Sequence, residues 1–295
     1  MYNFLLHVAG LSCVYSLLAL SLNLQAGFAG LLNFGFVAFV GVGAYATAIC
    51  TSLGYPAVAG MAVGAVVAMA VGLIMARLGR NLASDYWAIA TLAVAELIRI
   101  VAVNEGWLTG GAQGLSGVPP LVRFGEGAQS DVGFVLVALI AAIVAFAICQ
   151  RLTHGRFGRA IRLMRDEPAL ATSLGYRLLP LKNQATVMSA VIASVGGSLL
   201  AHYMSFVGPD YMLPSETFAV WTMVMIGGLG NNAGVVLGAI VVEAIYSAVP
   251  FVKDYFEISS DIAGAARIGS IGLILLVCLL LRPAGLIPEK IRSPL

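Results

Sequence analysis

The chain has 295 residues, 60% of them hydrophobic and 10% charged, with net charge +2 and mean hydropathy +0.96. A soluble domain carries roughly 25% charged residues, so this composition excludes one and calls for lipid as solvent, where helices satisfy their own backbone. The near-neutral charge gives no sign of nucleic acid. Cys13, Cys50, Cys149 and Cys278 lack metal-site spacing and read as small buried apolar residues.

In chain order, segments 4–24, 36–53, 56–76, 86–103, 132–150, 183–202, 216–230, 232–249 and 265–282 are long and apolar enough to cross a bilayer. They predict an all-α polytopic protein, a single membrane domain over 1–295, with about eight to ten spans. The first segment lacks the basic stretch and small-residue cleavage site of a secretory signal, so it reads as a retained helix.

After that segment comes Gly27-Phe28-Ala29-Gly30-Leu31-Leu32-Asn33-Phe34-Gly35, apolar but interrupted. A counterpart in the second half reads Gly227-Gly228-Leu229-Gly230-Asn231-Asn232-Ala233-Gly234. Paired glycine interruptions in two halves point to a transport site built from an internal repeat, although small residues also let helices approach closely. Gly27, Gly30, Asn33, Gly228, Gly230 and Asn231 are therefore candidates for a substrate pathway. Glu243 joins them as the lone charge in an apolar run, which must face protein or water. Glu96 and Arg99, three apart within a span, suit an internal ion pair. His7, His154 and His202 are scattered, which argues against metal or catalytic chemistry. The tryptophans lie mostly near span ends, as in an interfacial aromatic belt.

Basic residues mark the cytoplasmic side. Arg77 and Arg80, the run from Arg151 to Lys182, and Arg282, Lys290 and Arg292 all fall on one side of the predicted spans. Glu105, Arg123, Glu126, Asp131 and Asp210 fall on the other. The loop at 153–182 is too long for a plain connection. Phe157, Ile161 and Met164 recur at helical spacing, with Arg156, Arg159 and Arg162 on a neighbouring face. Pro168 opens a second short helix and Gly175 ends it. Two readings fit, a basic helix lying on anionic lipid and a coupling helix docked on a separate ATPase. Asp166 and Glu167 favour the second, since an acid gains nothing on an anionic surface. The coupling candidates are Phe157, Gly158, Arg159, Arg162, Asp166, Glu167, Pro168 and Gly175.

Six segments in order, NLQAGFAGLLNFGFVAFVGVGAY, DYWAIATLAVAELIRI, LTGGAQGLSGVPP, GRFGRAIRLMRDEPALATSLGY, IGGLGNNAGVVLGA and LLRPAGLIP, resemble the permeases of branched-chain amino acid ABC importers. The LTGGAQGLSG loop and the basic loop are most similar to the M-type partner of that family's two permeases. The resemblance implies import of branched-chain or related amino acids across a bacterial inner membrane, with basic loops and C-terminus cytoplasmic. Implied partners are a second homologous permease, two cytoplasmic ATPases, a periplasmic substrate-binding protein and membrane lipid. No cofactor is implied in this chain, with ATP and Mg held by the ATPase subunits. The sequence has no GxxxxGK[ST] loop, and Lys182, Lys253 and Lys290 lie in no glycine-rich setting, so the chain is not itself expected to be catalytic. It departs from the family pattern at Phe36, where many members carry histidine, and at Asn231 and Asn232, where a serine and an apolar residue are expected. The resemblance places these positions near the pathway, which makes Phe36 a further pathway candidate, and the departures bear on the cargo, for which urea, short amides or other small solutes are alternatives. A stand-alone secondary transporter is a further one.

Overall fold

The structure is a computed structural model that describes residues 2–80, 82, 84–121, 128–255, 260–282 and 284–289. Arg123, Glu126, Lys290 and Arg292 lie outside the described residues, as do the side chains of Asp85, Asp131 and Lys253. Among the described residues twelve α-helices follow in order. They are α1 (Tyr2–Asn23), α2 (Val37–Ser52), α3 (Ala57–Leu78), α4 (Ser84–Asn104), α5 (Gly106–Thr109), α6 (Ala128–His154), α7 (Arg156–Asp166), α8 (Pro168–Ser173), α9 (Leu178–Met204), α10 (Pro214–Gly227), α11 (Asn232–Tyr255) and α12 (Ser260–Leu281).

Nine of these coincide with the nine segments expected from hydropathy. Among the described residues, six are long and apolar enough to cross a membrane on their own: α1 with its continuation, α3, α4, α6, α9 and α11. Helix α2 has 16 residues and α10 has 14. At about 1.5 Å per residue they measure roughly 24 and 21 Å, short of an apolar core about 30 Å thick. The missing length falls at the two glycine-rich stretches. Helix α1 runs into a π-helical turn, Leu24–Phe28, and irregular chain then leads up to α2. Helix α10 stops at Gly227, and a turn precedes α11.

Two apolar clusters fix the ends of the bundle. Leu24, Phe28, Ala76, Trp87, Ile161, Met164 and Ala185 pack together at the end that carries the arginines. Ala44, Tyr45, Ala102, Val118, Ala201, Val207 and Met212 pack at the other. Strands β1 (Leu115–Ser116) and β2 (Phe206–Val207) pair antiparallel beside this second cluster. The central helix is α9, with 78% of its apolar stretch buried against 28% in α3, α4 and α6. Small residues allow that depth. A Cβ on Gly43 would collide with the Ser194 carbonyl, and one on Gly197 with the Val40 carbonyl, so α2 and α9 touch backbone to backbone.

Candidate functional site

Both glycine breaks are closed by polar groups from distant helices. In the first, the Asn33 amide donates to Gln25 Oε1 (3.0 Å), and Gln25 Nε2 donates to Ser189 Oγ (2.7 Å). Ser21 adds a bond to the Ser189 carbonyl (2.6 Å), and Trp221 Nε1 donates to the Asn33 carbonyl (3.0 Å). Ser21, Gln25, Asn33 and Ser189 are all fully buried. Non-helical backbone at membrane depth is tolerated only where protein or water re-satisfies its polar groups. Here Trp221 of α10 does so for the Asn33 carbonyl, and Thr91 Oγ1 of α4 accepts from the Phe34 N–H (3.2 Å).

The second break lies against the first. Gly230 N–H donates to Asn23 Oδ1 (2.9 Å), and Asn23 Nδ2 donates to Asn232 Oδ1 (3.2 Å). Asn232 Nδ2 donates in turn to Gln150 Oε1 (3.0 Å) and Thr153 Oγ1 (3.2 Å) at the end of α6. A Cβ on Gly27 would stand 2.5 Å from the Gly230 nitrogen, so the two breaks meet only because Gly27 lacks a side chain there. Asn231 caps α11, its Oδ1 accepting from the N–H groups of Ala233 (3.0 Å) and Gly234 (3.1 Å).

The segment after α12 completes the second break. Leu286 N–H donates to the Ile226 carbonyl (2.7 Å) and Ile287 N–H to the Gly227 carbonyl (3.1 Å). This brings Glu289 beneath α7. Its carboxylate accepts from Arg162 Nε (3.0 Å) and pairs with Arg165 Nη2 (2.9 Å). Arg162 also donates to the Thr153 carbonyl (3.1 Å) and lies over the Phe28 ring. Arg165 donates to the Gly27 carbonyl and pairs with Asp166 (2.7 Å). Burial works against the Arg165 charge, but hydrogen bonds and charge from Asp166 and Glu289 outweigh it and push its pKa above the usual arginine value. Two arginines and one glutamate thus fasten the amphipathic helix to both breaks.

The coupling candidates divide between two faces. Gly158 is buried, Phe157 packs partly buried with Ile161 and Met164, and Arg162 points into the joint. Arg159, Asp166, Glu167, Pro168 and Gly175 are exposed, and so are Leu170, Leu174 and Tyr176 beside them. A side chain on Gly158 would strike the Thr153 carbonyl at the end of α6. Gly158→Ala is therefore expected to lift α7 from the bundle and to reduce ATP-driven uptake severalfold at normal membrane insertion. Uptake scaled to the amount of inserted protein checks it, and wild-type rates would show that α7 need not sit so close.

Of the remaining pathway candidates, Phe36 is buried edge-on to Phe39, with ring centroids 6.3 Å apart. Gly30 adopts φ +68° against Arg165, and Gly228 adopts φ +110° against Ile287. Glu243 is buried and accepts from Ser247 Oγ (2.9 Å). It is not among the residues brought together at the breaks. Glu96 and Arg99 form the expected pair, with both carboxylate oxygens on one guanidinium, half-exposed on α4. Among the described residues no group of three or more His, Cys, Asp or Glu side chains could hold a metal.

The joint also uses residues that sequence reasoning passed over: Asn23, Gln25, Gln150, Thr153, Ser189 and Glu289. A usable signal existed for three of them. Asn23 and Gln25 are the polar interruptions at the end of an apolar run, and Glu289 is the only acid after the last span.

The family model for the permease component of branched-chain amino acid transport systems matches residues 4–279. The chain belongs to that family. This permease is 30% identical to the high-affinity branched-chain amino acid transport system permease protein LivM of Escherichia coli, across 95% of this chain and 69% of that protein. It is 26% identical to a probable branched-chain amino acid transport permease protein LivM of Methanocaldococcus jannaschii, across 94% of this chain and 91% of that one. A shorter likeness, 31% over 45% of this chain and 42% of the relative, is to an autoinducer 2 import system permease protein, LsrD, of Klebsiella pneumoniae. No solved structure matches. Membership in a family of permease components sets aside the stand-alone transporter.

Proposed function

We propose that this permease supplies half of a path by which branched-chain amino acids enter the cytoplasm, driven by ATPase subunits on separate chains. It sits in the inner membrane with its arginine-rich end cytoplasmic. A second homologous permease completes the path, and a periplasmic binding protein delivers the cargo. The observation that carries this reading is the joint of Arg162, Arg165 and Glu289, because it ties a surface helix to both interruptions of the membrane core. A helix merely resting on lipid needs no such tie.

In this reading the exposed face of α7 and α8, with Arg159, Asp166, Glu167 and Pro168, meets the ATPase. Leu170, Leu174 and Tyr176 are exposed on the same face, and an apolar patch of this kind suits a protein partner. Gly27, Gly30, Gly228 and Gly230 serve the joint, and Asn33 and Phe36 wall the path at mid-depth. Closure of the ATPases pulls α7, and the joint passes that movement to the breaks.

Purified alone in liposomes, the chain is expected to show neither ATP hydrolysis nor ATP-driven uptake. Co-reconstituted with its partners, it is expected to import labelled leucine. ATP-driven uptake by the chain without partners would overturn the reading.

A further inference from the structure

A cavity of about 280 Å³ lies at the arginine-rich end, between the first break, α4, α7 and α9. Leu31, Leu82, Met164 and Leu178 give it apolar walls, and Trp87, Arg165 and Lys182 line it with N–H groups. Arg165 is already engaged by Asp166, Glu289 and the Gly27 carbonyl. Lys182 is different. Half-buried in the second turn of α9, it forms no ion pair or hydrogen bond among the described residues. Trp87 is 2% exposed, and its Nε1 has no hydrogen-bond partner among the described residues. The far edge of the same indole, Cε3–Cζ3, lies against Gly79, where a Cβ would collide with it. Nε1 is therefore turned away from the end of α3, toward the cavity that the ring lines. A buried N–H is costly to leave unmatched, and nearly all such groups in folded proteins have an acceptor.

We infer that this cavity binds a phosphate group, carried by an anionic phospholipid or free in solution, with an oxygen on Trp87 Nε1 and its charge on Lys182. Arg162 and Arg165 are answered by Asp166 and Glu289, so Lys182 is the charge left over at this place. An ammonium meets a phosphate as a point charge with three donors. A phosphate presents acceptor oxygens on several sides, which suits donors arriving from two helices, α4 and α9. The apolar walls take the carbon skeleton next to it, and basic pockets between membrane helices hold lipid headgroups in this way. Gly30 and Arg165 line the same cavity, so the occupant lies against both the first break and the joint. The site is independent of the cargo and of the importer reading.

The test follows Lys182 in the assembled transporter, purified in detergent and washed free of phospholipid. A water-soluble acetylating reagent modifies the amine, and peptide mass spectrometry reads the rate. Dihexanoylphosphatidylglycerol is one probe and inorganic phosphate the other, with potassium chloride at matched ionic strength as control. At least one probe is expected to slow acetylation of Lys182 on the order of tenfold, as for a lysine held in a charge-assisted hydrogen bond. Slowing by the lipid alone assigns the site to a headgroup, and slowing by inorganic phosphate assigns it to a free anion. Slowing by neither probe, or equal slowing by potassium chloride, would overturn the site.

Trp87→Phe keeps an aromatic ring and removes the N–H. It is expected to raise the half-protecting probe concentration about tenfold, and unchanged protection would overturn the site. Leu82→Glu keeps the test open where that variant fails to assemble. Leu82 lines the cavity and is 37% exposed, so the change is compatible with folding. The added carboxylate is expected to repel either probe and remove the protection. Protection that survives Leu82→Glu would equally overturn the site.

Discussion

Valine at Gly228 is expected to abolish uptake while the complex still assembles. Gly228 has φ +110°, a region that side chains rarely adopt, and strain of this kind costs about 1–3 kcal/mol. A Cβ there would also strike the Ile287 carbonyl, with the Ala284 carbonyl 3.2 Å away. Both neighbours are backbone, so the substitution displaces the whole segment that carries Glu289. Valine at Gly30 is expected to do less, although φ is +68°, because its nearest neighbour is the movable Arg165 side chain at 2.7 Å. Gly64 is no neutral control, since a Cβ would lie 3.1 Å from both Gly43 Cα and Ser194 Oγ. Gly272, exposed and with nothing within 4 Å, is the fair comparison. Leucine uptake per assembled complex gives the ranking. Wild-type uptake by Gly228→Val would mean that the C-terminal segment need not hold its place.

Reversing the charge of Glu289 is expected to uncouple the transporter. The carboxylate bridges Arg162 and Arg165, whose side chains are 30% and 22% exposed, against 17% for its own. Partial burial makes this pair worth more than a surface ion pair, for which about 0–1 kcal/mol is usual. Glu289→Arg replaces two attractions with two repulsions. The expected phenotype is a loss of ATPase stimulation by the loaded binding protein, with ATP hydrolysis itself retained. Combining it with Arg162→Glu restores one attraction and is expected to recover part of the stimulation. Full stimulation in the single variant would sink the joint as a coupling device, and no recovery in the double variant would count against direct pairing.

Much of the fold was legible because lipid imposes a simple rule on sequence: each crossing is a long apolar run, and every run became a helix. The amphipathic helix was legible for the same kind of reason, with Ile161 and Met164 buried at their predicted spacing. The shortness of α2 and α10 was harder to see, since hydropathy does not register whether an apolar residue is helical. Glycine marked the breaks but not their partners. Gly27 and Gly230 are far apart in the chain and meet only in the folded bundle, and Arg162 finds Glu289 across 127 residues. Asn231, a pathway candidate from its place in the glycine stretch, also caps α11 in the folded chain, a role any asparagine before a helix can take. Such pairings depend on which helices become neighbours, and periodicity carries no record of that.

The separation between Arg162 and Glu289 also sets an order of events during synthesis. At roughly 5–20 residues per second, the 127 residues from Leu163 through Glu289 take about 6–25 s to emerge. From the point at which Gly234 is made, both breaks and the arginine helix exist without the carboxylate that fastens them. The nascent permease therefore passes through a state with most of its helices made and its surface helix still loose. Closure of the joint waits on the segment that follows α12, and a cell that inspected only this one contact would learn that every helix from α1 to α12 had been built.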